Sequence, residues 1–196
     1  MTKIILITHQ KGGVGKSTLT FNLAQNIAKS TKVAVIDFDL QGSLAQLKEL
    51  IEDFDIIPYE MAINEIPNLP YDFIFIDTPP YLSNNLPQLL QIADLILIPT
   101  KAGILDLLAI KSTIDIINTA DKRHYSRIVF NMIKPNTTLT ADIRAQLDEY
   151  NFKIYDTQIS DLVAFTRSVL LKGVTDSNKA QRQIDSLTKE VLTSLI

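Results

Sequence analysis

"HQKGGVGKST", residues 9–18, decides how the rest of this chain is read. A phosphate-binding loop runs Gly, four residues, then Gly-Lys-Ser/Thr, between a strand and a helix. Gly15, Lys16 and Ser17 supply the end of that pattern, but Gln10 stands where the first glycine belongs and Lys11 follows at once. The preceding "KIILIT" (3–8) is a short apolar run, and beyond the loop Leu19, Leu23 and Ile27 recur every fourth residue. Strand, loop and helix are therefore all present. Gly12, Gly13 and Gly15 let backbone N–H groups approach phosphate oxygens with no Cβ in the way, and the helix start adds its dipole. On this reading Lys11, Gly12, Gly13, Val14, Gly15, Lys16, Ser17 and Thr18 form a triphosphate cradle. Lys16 reaches the β- and γ-phosphates, and the Ser17 hydroxyl ligates Mg2+.

Working outward, "KVAVID" (32–37), "DFIFID" (72–77), "DLILIP" (94–99) and "RIVFNM" (127–132) repeat the short, continuous Ile/Val-rich style of the first run. Strands buried on both faces of a parallel sheet read this way. A weaker strand, 153–159, extends the edge. Helical patterns fill 17–29, 43–52 (capped by Ser43), 103–120, 138–150, 161–172 and 177–195, and "YEMAINEIPNLP" (59–70) reads as an irregular surface excursion. Strand–helix alternation of this kind predicts an α/β fold: a single domain over 1–196, with a doubly wound, mostly parallel sheet flanked by helices on both faces.

Ligands of such sheets bind beyond the carboxyl ends of the strands, and two more chemically loaded segments sit there. "DFDLQGS" (37–43) places Asp37 and Asp39 two residues apart, so both carboxylates face one way. Beside a triphosphate they need a metal ion or water between, which suits Asp37 as an outer-shell Mg2+ partner and Asp39 as the group orienting the attacking water. The plainer reading is that they cap the following segment. "FIFIDTPP" (73–80) ends an apolar strand on Asp77, where an unpaired carboxylate is costly. Holding Mg2+ through water accounts for it; an ordinary strand-end acid is the alternative.

"KGGVGKST", "DFDLQ" and "FIFIDTPP", in that order, resemble the ParA/MinD superfamily of deviant-Walker-A ATPases, and the resemblance covers nearly the whole chain. Its shortness, with no N-terminal DNA-binding extension, and "DLVAFTRSVLLKGV" (161–174) resemble the small ParF-like plasmid partition proteins. The resemblance implies ATP and Mg2+ as cofactors and a nucleotide-sandwich homodimer in which Lys11 reaches the partner subunit's phosphates. A finger residue supplied in trans raises GTPase rates by about 10³–10⁵. If Lys11 instead only neutralises phosphate in its own subunit, no dimer is needed. The resemblance also implies adenine contact by Asn131, although Asn at a strand end is equally a turn residue. One departure stands out: the family often has Pro after the Asp-x-Asp pair, and here that residue is Leu40.

Composition narrows the function classes. There is no Cys, which excludes a disulfide framework, Cys-ligated zinc and the related iron–sulfur carriers. Net charge is −3, with 6 Lys/Arg against 11 Asp/Glu in residues 1–100 and 13 against 11 in residues 101–196. His9 and His124 lack neighbouring metal-ligand spacing, and the "NTT" sequon (136–138) matters only in a secreted chain. With no signal-like or spanning segment, the expected location is cytoplasmic, nucleoid-associated when ATP is bound. The leading expectation is a DNA-segregation ATPase: ATP drives dimerisation, the dimer binds DNA without sequence preference, and a centromere-binding partition protein stimulates hydrolysis. Lys172, Lys179, Arg182 and Lys189 are the candidate DNA contacts, interspersed with acids as on any solvated face. The alternative is a MinD-like membrane-surface ATPase. It needs a basic amphipathic tail, whereas the tail's Ile184, Leu187 and Val191 read as core. A small-molecule kinase or ligase on the same scaffold would have no use for Lys11.

Overall fold

A computed structural model describes residues 1–39, 44–57, 59–81, 83–134, 139–170 and 172–196. The five apolar runs become β1 (Lys3–Ile7), β2 (Val33–Asp37), β4 (Phe73–Asp77), β5 (Leu95–Thr100) and β6 (Ser126–Phe130). Two short edge strands complete the sheet: β3 (Asp55–Ile57) and β7 (Lys153–Ile154). The order is β3-β2-β4-β1-β5-β6-β7, and every pairing is parallel.

Side chains along each strand alternate between two cores, as the pleat requires. Ile5, Ile7, Val35, Phe75, Leu97 and Val129 face α1 (Lys16–Ala28) and α6 (Asn178–Thr193). Ile4, Leu6, Ile36, Ile74, Ile76, Ile96 and Ile128 face α2 (Leu86–Ile92), α3 (Ile104–Thr119) and α4 (Leu139–Asp148). Both faces of the sheet are therefore covered, which explains why the strand sequences are continuous in apolar residues rather than alternating. α6 is started by Ser177, whose hydroxyl accepts from Ala180 N at 3.3 Å. Its Ile184, Leu187 and Val191 lie fully inside the first core.

Several expectations are adjusted. The helix proposed over 43–52 is a 3₁₀ segment, Ala45–Leu50, and Ser43 lies outside the described residues. Residues 63–68 of the supposed surface excursion form another 3₁₀ segment that pins buried Ile66 into the second core. The helix proposed over 161–172 shrinks to α5 (Val163–Arg167), because buried Ser168 turns back to donate to Phe165 O and Gly173 N closes on Ser168 O. The edge strand proposed over 153–159 is two residues long, followed by an isolated parallel bridge between Ile133 and Ser160. The "NTT" sequon and Leu40 fall outside the described residues.

Phe75 sits fully buried at the middle of β4 between β1 and β2. Phe75→Ala is expected to cost about 3–5 kcal/mol of unfolding free energy by leaving a cavity there. Urea titration checks this; a loss below about 1 kcal/mol would contradict the packing described.

Candidate nucleotide-binding site

The chain leaves central β1 toward β2 and β3 on one side and later returns to build β5, β6 and β7 on the other. That reversal makes a crevice at the strand ends, and the loop after β1 lies in it. Pairing register brings Ile7, Asp77 and Asp37 to one level, so the three segments singled out in sequence converge.

Backbone conformation shapes the loop. Gly13 and Gly15 take left-handed φ of 71° and 85°, and Gly15 stands at the N-cap of α1. A Cβ on Gly15 would sit 2.4 Å from Asn131 Nδ2, so only glycine fits. Asn131 Nδ2 in turn donates to Val14 O at 2.8 Å, fastening the loop to the end of β6. Val14 is fully buried, and Gly12 faces Pro80 of the stiff turn after Asp77. That turn is held by Thr78 Oγ1 donating to Ile7 O at 2.9 Å.

Charge is concentrated where water is scarce. Lys16, only 7% exposed, has Nζ 3.4 Å from Lys11 O. Burial lowers its pKa, while Asp77 and Asp39 pull it back up. Asp77 is 0% exposed; its carboxyl is pushed up to about 7 by burial, against the pull of a hydrogen bond from Ser17. Thr20 Oγ1 lies 3.4 Å from Asp77 Oδ1, and Asp77 Oδ2 has no partner among the described residues. Asp37 accepts from Asp39 N and Leu44 N, both at 3.0 Å. It therefore holds the backbone of Asp39 and of Leu44 to one carboxylate, as in the capping role considered as the plainer reading, while lying at Asp77's level.

A divalent cation fits this donor set. The bare Asp77 oxygen, the Ser17 hydroxyl against the same carboxylate and the neighbouring Asp37 together form an oxygen-rich corner beside the phosphate cradle. No cluster of three or more His, Cys, Asp or Glu exists among the described residues. That is the norm for Mg2+ carried on phosphates, which takes one or two carboxylates rather than a protein cage.

Lys11 is placed differently from Lys16. Its Nζ is 2.6 Å from Asp106 Oδ1, in the first turn of α3, and the side chain is about one-third exposed. Lys11 N donates to His9 Nδ1 at 2.9 Å, and Gln10 N donates to Thr113 Oγ1 of α3 at 3.1 Å. The loop's leading edge is thus strapped to α3. Ile104, Leu105 and Leu108, on the same helix, are exposed beside it.

Sequence reasoning missed Asp106 because an acid in a helix's first turn is ordinarily just a dipole complement. It also passed over His9. His9 is fully buried with its pKa lowered to about 4, by burial first and then by Lys16. It stays neutral, with Nδ1 free to accept from the loop. Of the DNA candidates, Lys172 is tied to Glu52 at 2.7 Å, whereas Lys179, Arg182 and Lys189 lie exposed along α6.

A cleft of about 190 Å³ opens beside the loop between Gly15, Leu19, Asn131, Met132, Ile159 and Phe165. Met132 holds a left-handed φ of 56°, an unusual conformation for a long side chain and one that clusters at binding sites.

The model of the CobQ/CobB/MinD/ParA nucleotide binding domain matches residues 5–172. The chain belongs to that family. Among its relatives is the maintenance of carboxysome distribution protein A of Halothiobacillus neapolitanus, 26% identical over 97% of this chain and 96% of the relative. Among solved structures, a putative plasmid partition protein of Borrelia burgdorferi bound to AMPPNP superposes with a TM-score of 0.77 at 22% identity, covering 100% of both chains. The septum site-determining protein MinD of Pyrococcus horikoshii, complexed with Mg-ADP, gives 0.72 at 19% identity, covering 97% of this chain and 96% of that one.

The Asp77 shift has a sign that can be tested. Its folded pKa lies above the unfolded value of 3.8, so its contribution to stability is complete below 3.8 and is lost as pH rises through about 7. Asp77→Asn, which cannot ionise, is therefore expected to raise the nucleotide-free melting temperature at pH 8 relative to the unsubstituted protein, with a smaller gain at pH 5. Calorimetry at the two pH values checks this. A lower melting temperature at pH 8 would contradict the buried-carboxyl account.

Proposed function

We propose that this protein is a ParA-type ATPase that positions cargo along DNA, cycling between ATP-bound dimer and ADP-bound monomer. The observation that carries the reading is the separation of the two loop lysines. Lys16 is buried inside the cradle, while Lys11 is held at its rim by Asp106, beside exposed Ile104, Leu105 and Leu108. A lysine meant for its own subunit's phosphates has no reason to lie at an apolar rim. A lysine meant for a second copy does.

In this mechanism the loop amides from Gly12 to Ser17 and the Lys16 ammonium bind the β- and γ-phosphates, while the base enters the cleft between Leu19, Met132 and Phe165. Ser17, Asp77 and Asp37 would hold Mg2+, which would supply positive charge against the phosphates, and Asp77 would then stay ionised. Asp39 orients the attacking water. Lys11 leaves Asp106 when a partner's triphosphate offers more negative charge, and stabilises the γ-phosphate charge that develops there. Asn131 has the Val14 carbonyl as its partner and lines the same cleft, so in this reading it supports the loop and would border the base.

For cargo, we propose a DNA segment marked by a centromere-binding partner that stimulates hydrolysis. A second reading, a protein compartment as cargo, is favoured by the end-to-end match to the carboxysome-distribution relative; it leaves the nucleotide cycle unchanged. The MinD-like membrane reading has less support. The apolar face of α6 is spent in the core, and among the described residues no helix is long and apolar enough to cross a membrane.

Lys11→Ala is expected to keep nucleotide binding within a few fold yet lose partner- or DNA-stimulated hydrolysis by at least about 10³-fold. Lys16→Ala is expected to lose nucleotide affinity itself. Calorimetry with ATP alongside phosphate-release kinetics separates the two, and normal stimulated turnover in Lys11→Ala would sink the trans role.

A further inference from the structure

A second charged site lies on the far edge of the sheet. Arg127 of β6 and Lys153 of β7 are register partners in a parallel pair, so their side chains project side by side from strands about 4.8 Å apart. Strand alternation puts them on the α6 face: Val129, two residues further along β6, and Tyr155, just past the end of β7, both belong to the core beneath α6. Lys189 of α6 lines the same cavity, which measures about 520 Å³ and is bordered also by Ser186, Thr193 and two acids, Asp156 and Glu190. Two like charges in register repel and are destabilising unless something negative offsets them.

Within the described residues the offset is partial: Asp156 and Glu190 border the cavity, and the three cations outnumber them. Neither Arg127, Lys153 nor Lys189 forms an ion pair there. Arg127 spends one guanidinium nitrogen on two backbone carbonyls, His124 O and Ser126 O, and its buried Nε has no partner. Both acids of the cavity also serve other groups. The Glu190 carboxylate accepts from Asp156 N and Thr157 N at 2.9 Å each, and Asp156 pairs with Arg144 at 3.3 Å. Along α6, Lys179, Arg182, Ser186, Lys189 and Thr193 share one exposed face by helical spacing. Asp185, at its margin, accepts from Gln181 and Asn26.

We infer that the β6–β7–α6 groove, with Arg127, Lys153 and Lys189, binds the phosphate backbone of duplex nucleic acid as the continuation of the Lys179–Arg182 face. The inference rests on the DNA-positioning reading above and gives that reading a surface. Lys172, bound to Glu52, lies outside it. Lys179 and Lys189 are ten residues apart, about 15 Å along the helix, and a DNA strand offers a phosphate about every 3.4 Å, so one stretch of backbone can meet several of these cations. No base contact is required, so binding is independent of sequence and steeply salt-dependent.

The test is fluorescence anisotropy of a labelled duplex of arbitrary sequence, with the full chain, Mg2+ and a non-hydrolysable ATP analogue, across a KCl series. Arg127→Gln/Lys153→Gln is expected to weaken binding about tenfold and to flatten the log–log salt slope by about 1.8 per bound subunit, at about 0.9 per lost phosphate contact. Lys153→Glu, a change at an exposed position that keeps the fold, should weaken binding further still. ATP-analogue affinity and analogue-driven dimerisation should not change in either variant. Wild-type slope and affinity in both variants, with binding lost in Lys179→Ala/Arg182→Ala, would overturn the groove while leaving DNA binding standing. If the unsubstituted protein binds no duplex in any nucleotide state, or binds phosphatidylglycerol vesicles through these residues instead, the DNA reading falls and the groove proposal falls with it.

Discussion

A carboxyl with no exposed surface, 0% for Asp77, and a lysine with 7%, Lys16, are held within one crevice of a sheet built almost wholly from Ile, Val, Leu and Phe. Ions buried this way are each costly, and a mutual attraction offsets the cost only when further hydrogen bonds complete the set. Here the set is incomplete. Asp77 keeps one bare oxygen and drifts toward its neutral form. The rest of the architecture serves to hold that incompleteness in place. β4 pairs on both sides with β1 and β2, the turn at Thr78 is tied to Ile7, and Asn131 fastens the loop from across the crevice. A ligand bringing phosphate oxygens and a cation supplies what is missing, and so is bound by a site already paid for in folding.

The same logic separates the two lysines. Lys16 is positioned by burial, Lys11 by an ion pair that a competing anion can replace. Because His9 and Thr113 hold the backbone on either side of Gln10, only the Lys11 side chain has to move for it to change partner. In the proposed dimer the exposed apolar residues on α3 beside it would be covered by the same association, and nucleotide state and subunit contact would be coupled through one flexible side chain rather than through a rearranged core.

Much of this was legible in the sequence. Five strands announced themselves as continuous Ile/Val runs, because burial on both faces removes the polar half of the usual alternation. The three site segments were visible because Gly, Lys and Asp at the ends of such runs have few structural reasons to be there. What stayed hidden was short or locally ambiguous. β3 has three residues and begins with Asp55; α2 carries Pro87 in its first turn and fills only two turns. The early end of α5 depends on a buried hydroxyl, Ser168, that receives a hydrogen bond from Asn22 of α1, a contact 146 residues away in sequence. Asp106 lies 95 residues from Lys11, and nothing in its own surroundings marks it. Asn131 shows the opposite case: its position was read, while its hydrogen bond to the loop could emerge only from the fold.

The most direct measurement is a crystal structure grown with Mg2+ and a non-hydrolysable ATP analogue. The account predicts two subunits face to face across the nucleotides, with each Lys11 Nζ withdrawn from its own Asp106 and within about 3 Å of a phosphate oxygen bound to the other subunit. A nucleotide-filled subunit in which Lys11 still rests on Asp106, or contacts only its own phosphates, would contradict it.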